Sequence, residues 1–183
     1  ARSLASFALA DLADFITIAF DENFSLVRYA EALTVSESTF SQVEKGADSP
    51  ILKEFYIPIL EKISKNFDFQ LVLVSVPFAG TFASALATGR YFKEKFANKV
   101  FVSFGGGFIN TELRETEEKA LSKYCDALSY DRGYAGYKQL LENDLENYIE
   151  NNSKNLFKVR LFNKDSVSDV IEHDAESEKY EAT

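Results

Sequence analysis

Methionine and tryptophan are absent from the sequence, and cysteine and histidine occur once each, as Cys125 and His173. A lone cysteine cannot close an internal disulfide. It also cannot supply a structural zinc or iron–sulfur site, which needs several thiolates. A single histidine excludes a multi-histidine metal site. Three prolines and eight glycines in 183 residues exclude collagen-like and low-complexity chains. Basic residues are in deficit, with a net charge of −9, which argues against a nucleic-acid surface. Because the chain starts at Ala1 and holds no methionine, a fragment of a longer reading frame is expected. Residues 1–20 lack the basic start, apolar run and cleavage site of a signal peptide, so a cytoplasmic protein is expected.

What is present is enough for one domain, since 46% of the residues are hydrophobic. The acidity is concentrated at the end. Residues 163–183 carry seven acids against Lys164 and Lys179, five of the nine net negative charges, and read as a solvated tail. From Phe69 to Gly89 no residue is charged. Length alone would suit a membrane span. Pro77 and Gly80 interrupt the run, and its β-branched first half and helically periodic second half read instead as strand, turn and helix. No membrane contact is expected.

Along the chain, residues 1–14 predict a helix, Phe15–Phe20 a short strand, and 25–33 a second helix. The polar stretch Ser36–Ser49 reads as a mobile loop. Pro50 suits a helix start, with the periodic run reaching Asn66 and a kink expected at Pro58. Gln70–Val76 is a continuous apolar strand. Thr81–Phe96 predicts a helix with Phe82, Ala85, Leu86, Gly89, Phe92 and Phe96 near one face. Further elements are a strand over Lys99–Phe104, a charged helix over Thr111–Tyr124, a strand over Ala127–Tyr130, a helix over 134–150, and an extended segment over Leu156–Phe162. Alternating strands and helices imply an α/β fold with a parallel sheet.

Five glycines (Gly80, Gly105, Gly106, Gly107 and Gly133) follow predicted strands. In a parallel sheet that edge is where ligands bind. Three consecutive glycines offer no packing, so the pattern predicts that something approaches them closely. Phe78, Phe82, Phe108, Tyr130 and Tyr134 stand at the same edge. Together they predict a flat apolar surface rimmed by Ser75, Thr81, Asn110 and Asp131. A phosphate loop is disfavoured, because no Lys–Ser/Thr pair follows Gly80. A dinucleotide fingerprint is matched in part by Gly105, Gly107 and Asp131, 24 residues beyond Gly107, with Asn110 in place of the third glycine. No catalytic residue and no metal ligand is assigned. His173 reads as solvated, Cys125 as a buried small hydrophobe, and Glu112, Glu115, Glu117 and Glu118 as an exposed helical run.

Three segments carry a family resemblance: Leu71-Val-Leu-Val-Ser-Val-Pro-Phe78, Gly105-Gly-Gly-Phe-Ile-Asn-Thr-Glu-Leu-Arg114 and Tyr124-Cys-Asp-Ala-Leu-Ser-Tyr-Asp-Arg-Gly133. They resemble the amino-terminal cobalamin-binding domain of radical SAM proteins over roughly residues 1–150. The family's Ser-x-Leu is Ser75-Val-Pro77 here, separated from Gly105 by 27 residues, about the family's spacing. The resemblance implies a Rossmann-like or flavodoxin-like three-layer sandwich with a mostly parallel sheet, whose first strand would precede Ala1. It implies cobalamin as the cofactor. Ser75 would lie near the buried nucleotide tail, Gly105 and Gly106 along it, and Asp131 and Gly133 would close the cavity. The neighbouring Pro77, Phe78, Thr81, Gly107 and Asn110 complete the expected site. Residues 151–183 would be an acidic connector to a radical SAM domain of the same polypeptide. That separate domain would hold the [4Fe–4S] cluster and S-adenosylmethionine. The chain departs from the family in three places. Pro77 replaces a leucine, Arg132-Gly133-Tyr134 replaces Asp-Gly-Glu, and the Asp-x-His-x-x-Gly loop is absent. Two other readings stand beside this one: a nucleotide or dinucleotide domain using Gly105–Gly107 and Asp131, and a binding-deficient interaction module.

Overall fold

A computed structural model describes residues 2–22, 24, 39–143, 145, 148 and 156–172. His173, the predicted helix over 25–33 and the end of the tail lie outside the described residues. Four strands form one open sheet in the order β1 (Leu71–Ser75), β2 (Phe101–Gly105), β3 (Ala127–Ser129) and β4 (Val159–Leu161). The first three are parallel and β4 runs antiparallel to β3. The fold is therefore mixed α/β with a mostly parallel sheet. β4 lies beyond residue 150 and completes that sheet.

Alternation along each strand divides the core in two. Val72, Val74, Val102, Phe104 and Leu128 face one side. There α4 (Phe82–Phe96) buries Phe82, Ala85, Leu86, Gly89 and Phe92, the stripe its spacing predicts. Leu71, Phe101, Ala127, Val159 and Leu161 face the other side, against Leu140 of α6 (Tyr134–Glu142), Tyr148 and Leu156. α6 does not cover β1, where Leu73 stays half exposed.

α1 (Arg2–Ala19) runs straight through the predicted strand Phe15–Phe20. No glycine or proline stops it, and a short apolar run does not by itself distinguish strand from helix. It meets the body at its end. Phe20 packs edge-on against Phe55 at 5.7 Å, and the buried Asp21 carboxylate accepts the Ile51 N–H at 3.1 Å. That places an anion at the start of the helical run beginning at Pro50, where the helix dipole favours it. The polar stretch predicted as a loop holds α2 (Phe40–Gly46), with Phe40 and Val43 packed on the core. Gln42 Oε1 accepts the Thr39 N–H at 2.8 Å, the return half of a capping box that Thr39-x-x-Gln42 spells out. The kink expected at Pro58 is resolved differently. Residues Leu52–Tyr56 widen into a π-helix that runs into α3 (Ile57–Ser64), with the Ile57 N–H reaching back to Leu52. Pro58 has no N–H and its ring would strike the carbonyl one turn earlier, so the wider turn accommodates it.

The charged helix predicted over Thr111–Tyr124 is broken. α5 spans Gly107–Thr111, and a 3₁₀ turn over Lys119–Lys123 follows, capped by Glu118 accepting from the Ala120 N–H at 3.0 Å. At the start of β3, Asp126 pairs with Lys93 of α4 and accepts the Val102 N–H at 2.8 Å, tying helix and two strands together. No described helix is long and apolar enough to cross a membrane.

Gly89 is the tightest point of this packing. A Cβ there would sit 2.0 Å from the Tyr124 carbonyl oxygen and 2.8 Å from the Phe104 ring. Alanine in a helix interior ordinarily gains about 1 kcal/mol over glycine. Here overpacking reverses the sign, and Gly89→Ala should lower stability by roughly 3 kcal/mol in urea unfolding. A midpoint equal to that of the parent chain would show the α4–Tyr124 contact to be wrong.

Candidate functional site

The two connections from β1 to β2 and from β2 to β3 pack Phe82, Leu86, Ile109 and Leu121 on one face of the sheet. The connection from β3 to β4 places Leu140 on the other. The loops leaving β2 and β3 therefore part in opposite directions at the carboxyl edge, the arrangement that opens a crevice in α/β sheets. A pocket of about 310 Å³ lies there, lined by Leu73, Val74, Ser75, Gly105, Gly106, Ser129, Asp131, Arg132, Gly133 and Tyr137.

Ser75, Gly105, Gly106, Asp131 and Gly133, expected from sequence, are thus brought together. The other five, Pro77, Phe78, Thr81, Gly107 and Asn110, are not among its lining residues. Gly106 has φ 108°, and a Cβ on it would meet the Val76 carbonyl oxygen at 2.8 Å. A Cβ on Gly107 would meet the Pro77 oxygen at 2.9 Å. What approaches Gly106 and Gly107 on their Cβ side is the protein's own backbone, while Gly105 and Gly106 both line the pocket. Thr81 donates its hydroxyl to the Phe78 carbonyl at 2.8 Å and so closes a turn. Asn110 Oδ1 accepts the Asp131 N–H at 2.5 Å, while its Nδ2 donates to the Gly106 carbonyl at 3.0 Å. It fixes the two loops relative to each other without lining the pocket.

The flat aromatic surface is not built. Phe82 and Tyr130 are buried and Phe108 packs on Phe82 at 5.2 Å, whereas Phe78 and Tyr134 are exposed. The Tyr130 hydroxyl donates to the Leu113 carbonyl at 3.2 Å, and burial pushes its pKa up to about 12. Cys125 is fully buried, and the same desolvation raises its thiol pKa, as expected of an inert core cysteine. Among the described residues no cluster of histidine, cysteine or acidic side chains is placed to hold a metal.

Asp131 adopts φ 56° and is clamped by two cations, Lys158 at 2.6 Å and Arg114 at 3.1 Å; Arg114 continues to Glu172 at 2.5 Å. Each carboxylate oxygen thus meets one cation. Of the residues behind the partial dinucleotide fingerprint, Gly107 is approached by the Pro77 backbone, while Gly105 and Asp131 line the pocket.

Ser129, Arg132 and Tyr137 were not singled out from sequence. β3 spans only three residues, too short for its alternation to be read. Tyr137 stands one turn into α6 from Gly133, a spacing that would have placed it beside the loop. Ser129 is 2% exposed, and its hydroxyl has no hydrogen-bond partner among the described residues. The Tyr137 and Ser103 hydroxyls meet at a long 3.4 Å. No family model, no curated protein and no solved structure matches the chain.

The hydrogen bond from Lys158, helped by Arg114, holds the Asp131 carboxyl below the usual aspartate range despite some desolvation. A depressed pKa contributes stability above the unfolded value that is lost as pH falls through the folded one. An NMR titration should therefore show Asp131 ionising below the ordinary aspartate value of about 3.9. Lys158→Ala should return it upward. An unshifted titration in the parent chain would contradict the clamp.

Proposed function

We propose that the chain is a cobalamin-binding domain of a radical SAM enzyme, a Rossmann-like or flavodoxin-like three-layer sandwich that positions a corrinoid for a separate iron–sulfur and S-adenosylmethionine domain. The observation that carries this reading is the pocket itself. Five residues that the resemblance assigns to the nucleotide tail, Ser75, Gly105, Gly106, Asp131 and Gly133, line one crevice at the carboxyl edge of the sheet.

The residues fit such a group in part of its extent. A volume of about 310 Å³ suits one nucleotide-sized arm and is too small for a whole corrin. The ring would lie outside, at the mouth. The unpartnered Ser129 hydroxyl supplies a buried polar group for the arm to meet. No histidine stands among the described residues, so none of them would ligate cobalt from the protein side. When bound, a corrinoid supplies a transferable methyl group or a partner in a radical step. The part of this chain is to bind and orient it. Gly105 keeps the floor low, Asn110 sets the spacing of the β2 and β3 loops, and the clamped Asp131 fixes the loop that leads into α6.

Protein mixed with hydroxocobalamin should retain the red chromophore through gel filtration. Gly105→Ala should weaken that retention while keeping its circular dichroism spectrum, because the Ser129 carbonyl oxygen, 3.3 Å from a Cβ at Gly105, need give only a few tenths of an ångström while the methyl group takes up room beside the pocket. Pigment that separates cleanly from folded parent protein would overturn the reading.

A further inference from the structure

The strongest unexplained feature of the pocket is Ser129. The residue lines the pocket, and its hydroxyl is buried and unpartnered among the described residues. A polar group left in that state costs stability unless a ligand or an ion completes it. It lies directly under the start of α6. The N-cap residue Gly133 is left-handed, with φ 71°, and a Cβ on it would sit 2.8 Å from Ser129 Oγ. α6 is nine residues long, has no side-chain cap and carries no acidic residue in its first turn. Its positive dipole end therefore lies at this corner with no acidic side chain in its own first turn to neutralise it.

The charges nearby point the same way. Arg132 lines the pocket, is exposed, and forms no ion pair among the described residues. Its acidic neighbour Asp131 is no competitor for it, since Lys158 and Arg114 already engage both carboxylate oxygens. Among the described residues, Asp131 and Glu172 stand against Arg114, Lys158 and Arg132, so these five side chains carry one net positive charge within a chain of net charge −9.

We infer that the α6 N-terminus, the Ser129 hydroxyl and the Arg132 guanidinium form a subsite for a phosphate group. Backbone N–H groups at a helix start, a hydroxyl donor and a guanidinium are the donor set that phosphate oxygens recruit. The phosphate has two possible carriers, the nucleotide arm of a corrinoid or a free nucleotide. The inference deepens the corrinoid reading and rests on it for the carrier, while the subsite chemistry rests on this geometry.

The test uses the full chain and three probes: hydroxocobalamin; cobinamide, which is the same corrin without the phosphate-bearing nucleotide; and adenosine monophosphate. Binding of the corrinoids is followed by absorbance. Binding of the nucleotide is followed by NMR of the amides over residues 133–136. Hydroxocobalamin should bind about ten-fold or more tighter than cobinamide, as a charge-assisted contact implies, and Arg132→Ala and Ser129→Ala should each erase most of that difference. Ser129→Ala removes a hydroxyl without a protein partner, so its melting temperature should not fall, which separates lost binding from lost fold. If neither corrinoid binds but adenosine monophosphate shifts those amides in an Arg132-dependent way, the subsite stands and the corrinoid reading falls. If both corrinoids bind alike and Arg132→Ala changes neither, the corrinoid reading stands and the subsite falls. Silence from all three probes overturns both.

Discussion

The geometry of the carboxyl edge depends on one close backbone contact between the end of β1 and the glycine triplet after β2. The Val76 N–H donates to the Gly105 carbonyl at 2.7 Å, and the Val76 carbonyl accepts from the Phe108 N–H at 3.1 Å. Between these two bonds the chain must turn through Gly106 at φ 108°, where a side chain would be both conformationally strained and within 3 Å of Val76. The contact ends β2, starts α5 and sends the connection to one face of the sheet. Asn110 then stands close enough to hold the Asp131 N–H. From Asp131 the chain leaves for the opposite face, and the pocket is the space between the two departures.

That chain of dependence shows why the triplet is glycine-rich without three glycines facing a ligand. Gly106 and Gly107 admit protein backbone, although Gly106 also lines the pocket beside Gly105. A Cβ at Gly105 would press on the Ser129 carbonyl oxygen at a tight 3.3 Å, a milder conflict than at Gly106 or Gly107, and would take up room beside the pocket. Physically these are different demands on the same residue type. A sequence displays the glycines and hides which demand each one meets.

Much of the core was legible because it is written in local periodicity. β1, β2 and the buried stripe of α4 follow from unbroken apolar runs and three- to four-residue spacing. Ser75, Gly105, Gly106, Asp131 and Gly133 were legible as a group because each follows a strand, and strand ends converge at one edge. The partners that decide their roles were not legible. Val76 meets Gly106 across some thirty residues, and Lys158 reaches Asp131 from β4's approach, a segment read as connector. Two misses had a readable signal. Thr39-x-x-Gln42 marks the start of α2, and the absence of any breaker after Asp14 favours a continued α1 over a strand. Ser129 had none: with three residues in β3, its inward direction is set only by the register of Ala127 and Leu128 against their neighbours.

An aspartate beside a site for an anion appears at first to be a conflict. Bare, its charge would repel a phosphate a few ångströms away, in a pocket where solvent screens less than at an open surface. The clamp removes the conflict. Lys158 and Arg114 both contact the carboxylate, and Arg114 passes part of its charge on to Glu172. Asp131 thereby keeps its use as a left-handed loop residue, a conformation that Asp tolerates better than most. The residue that follows, Arg132, is then left with its charge uncommitted. The same two-residue step that turns the chain into α6 thus sets an electropositive corner on a predominantly acidic protein, and it does so by pairing away the only acid that lines the pocket among the described residues.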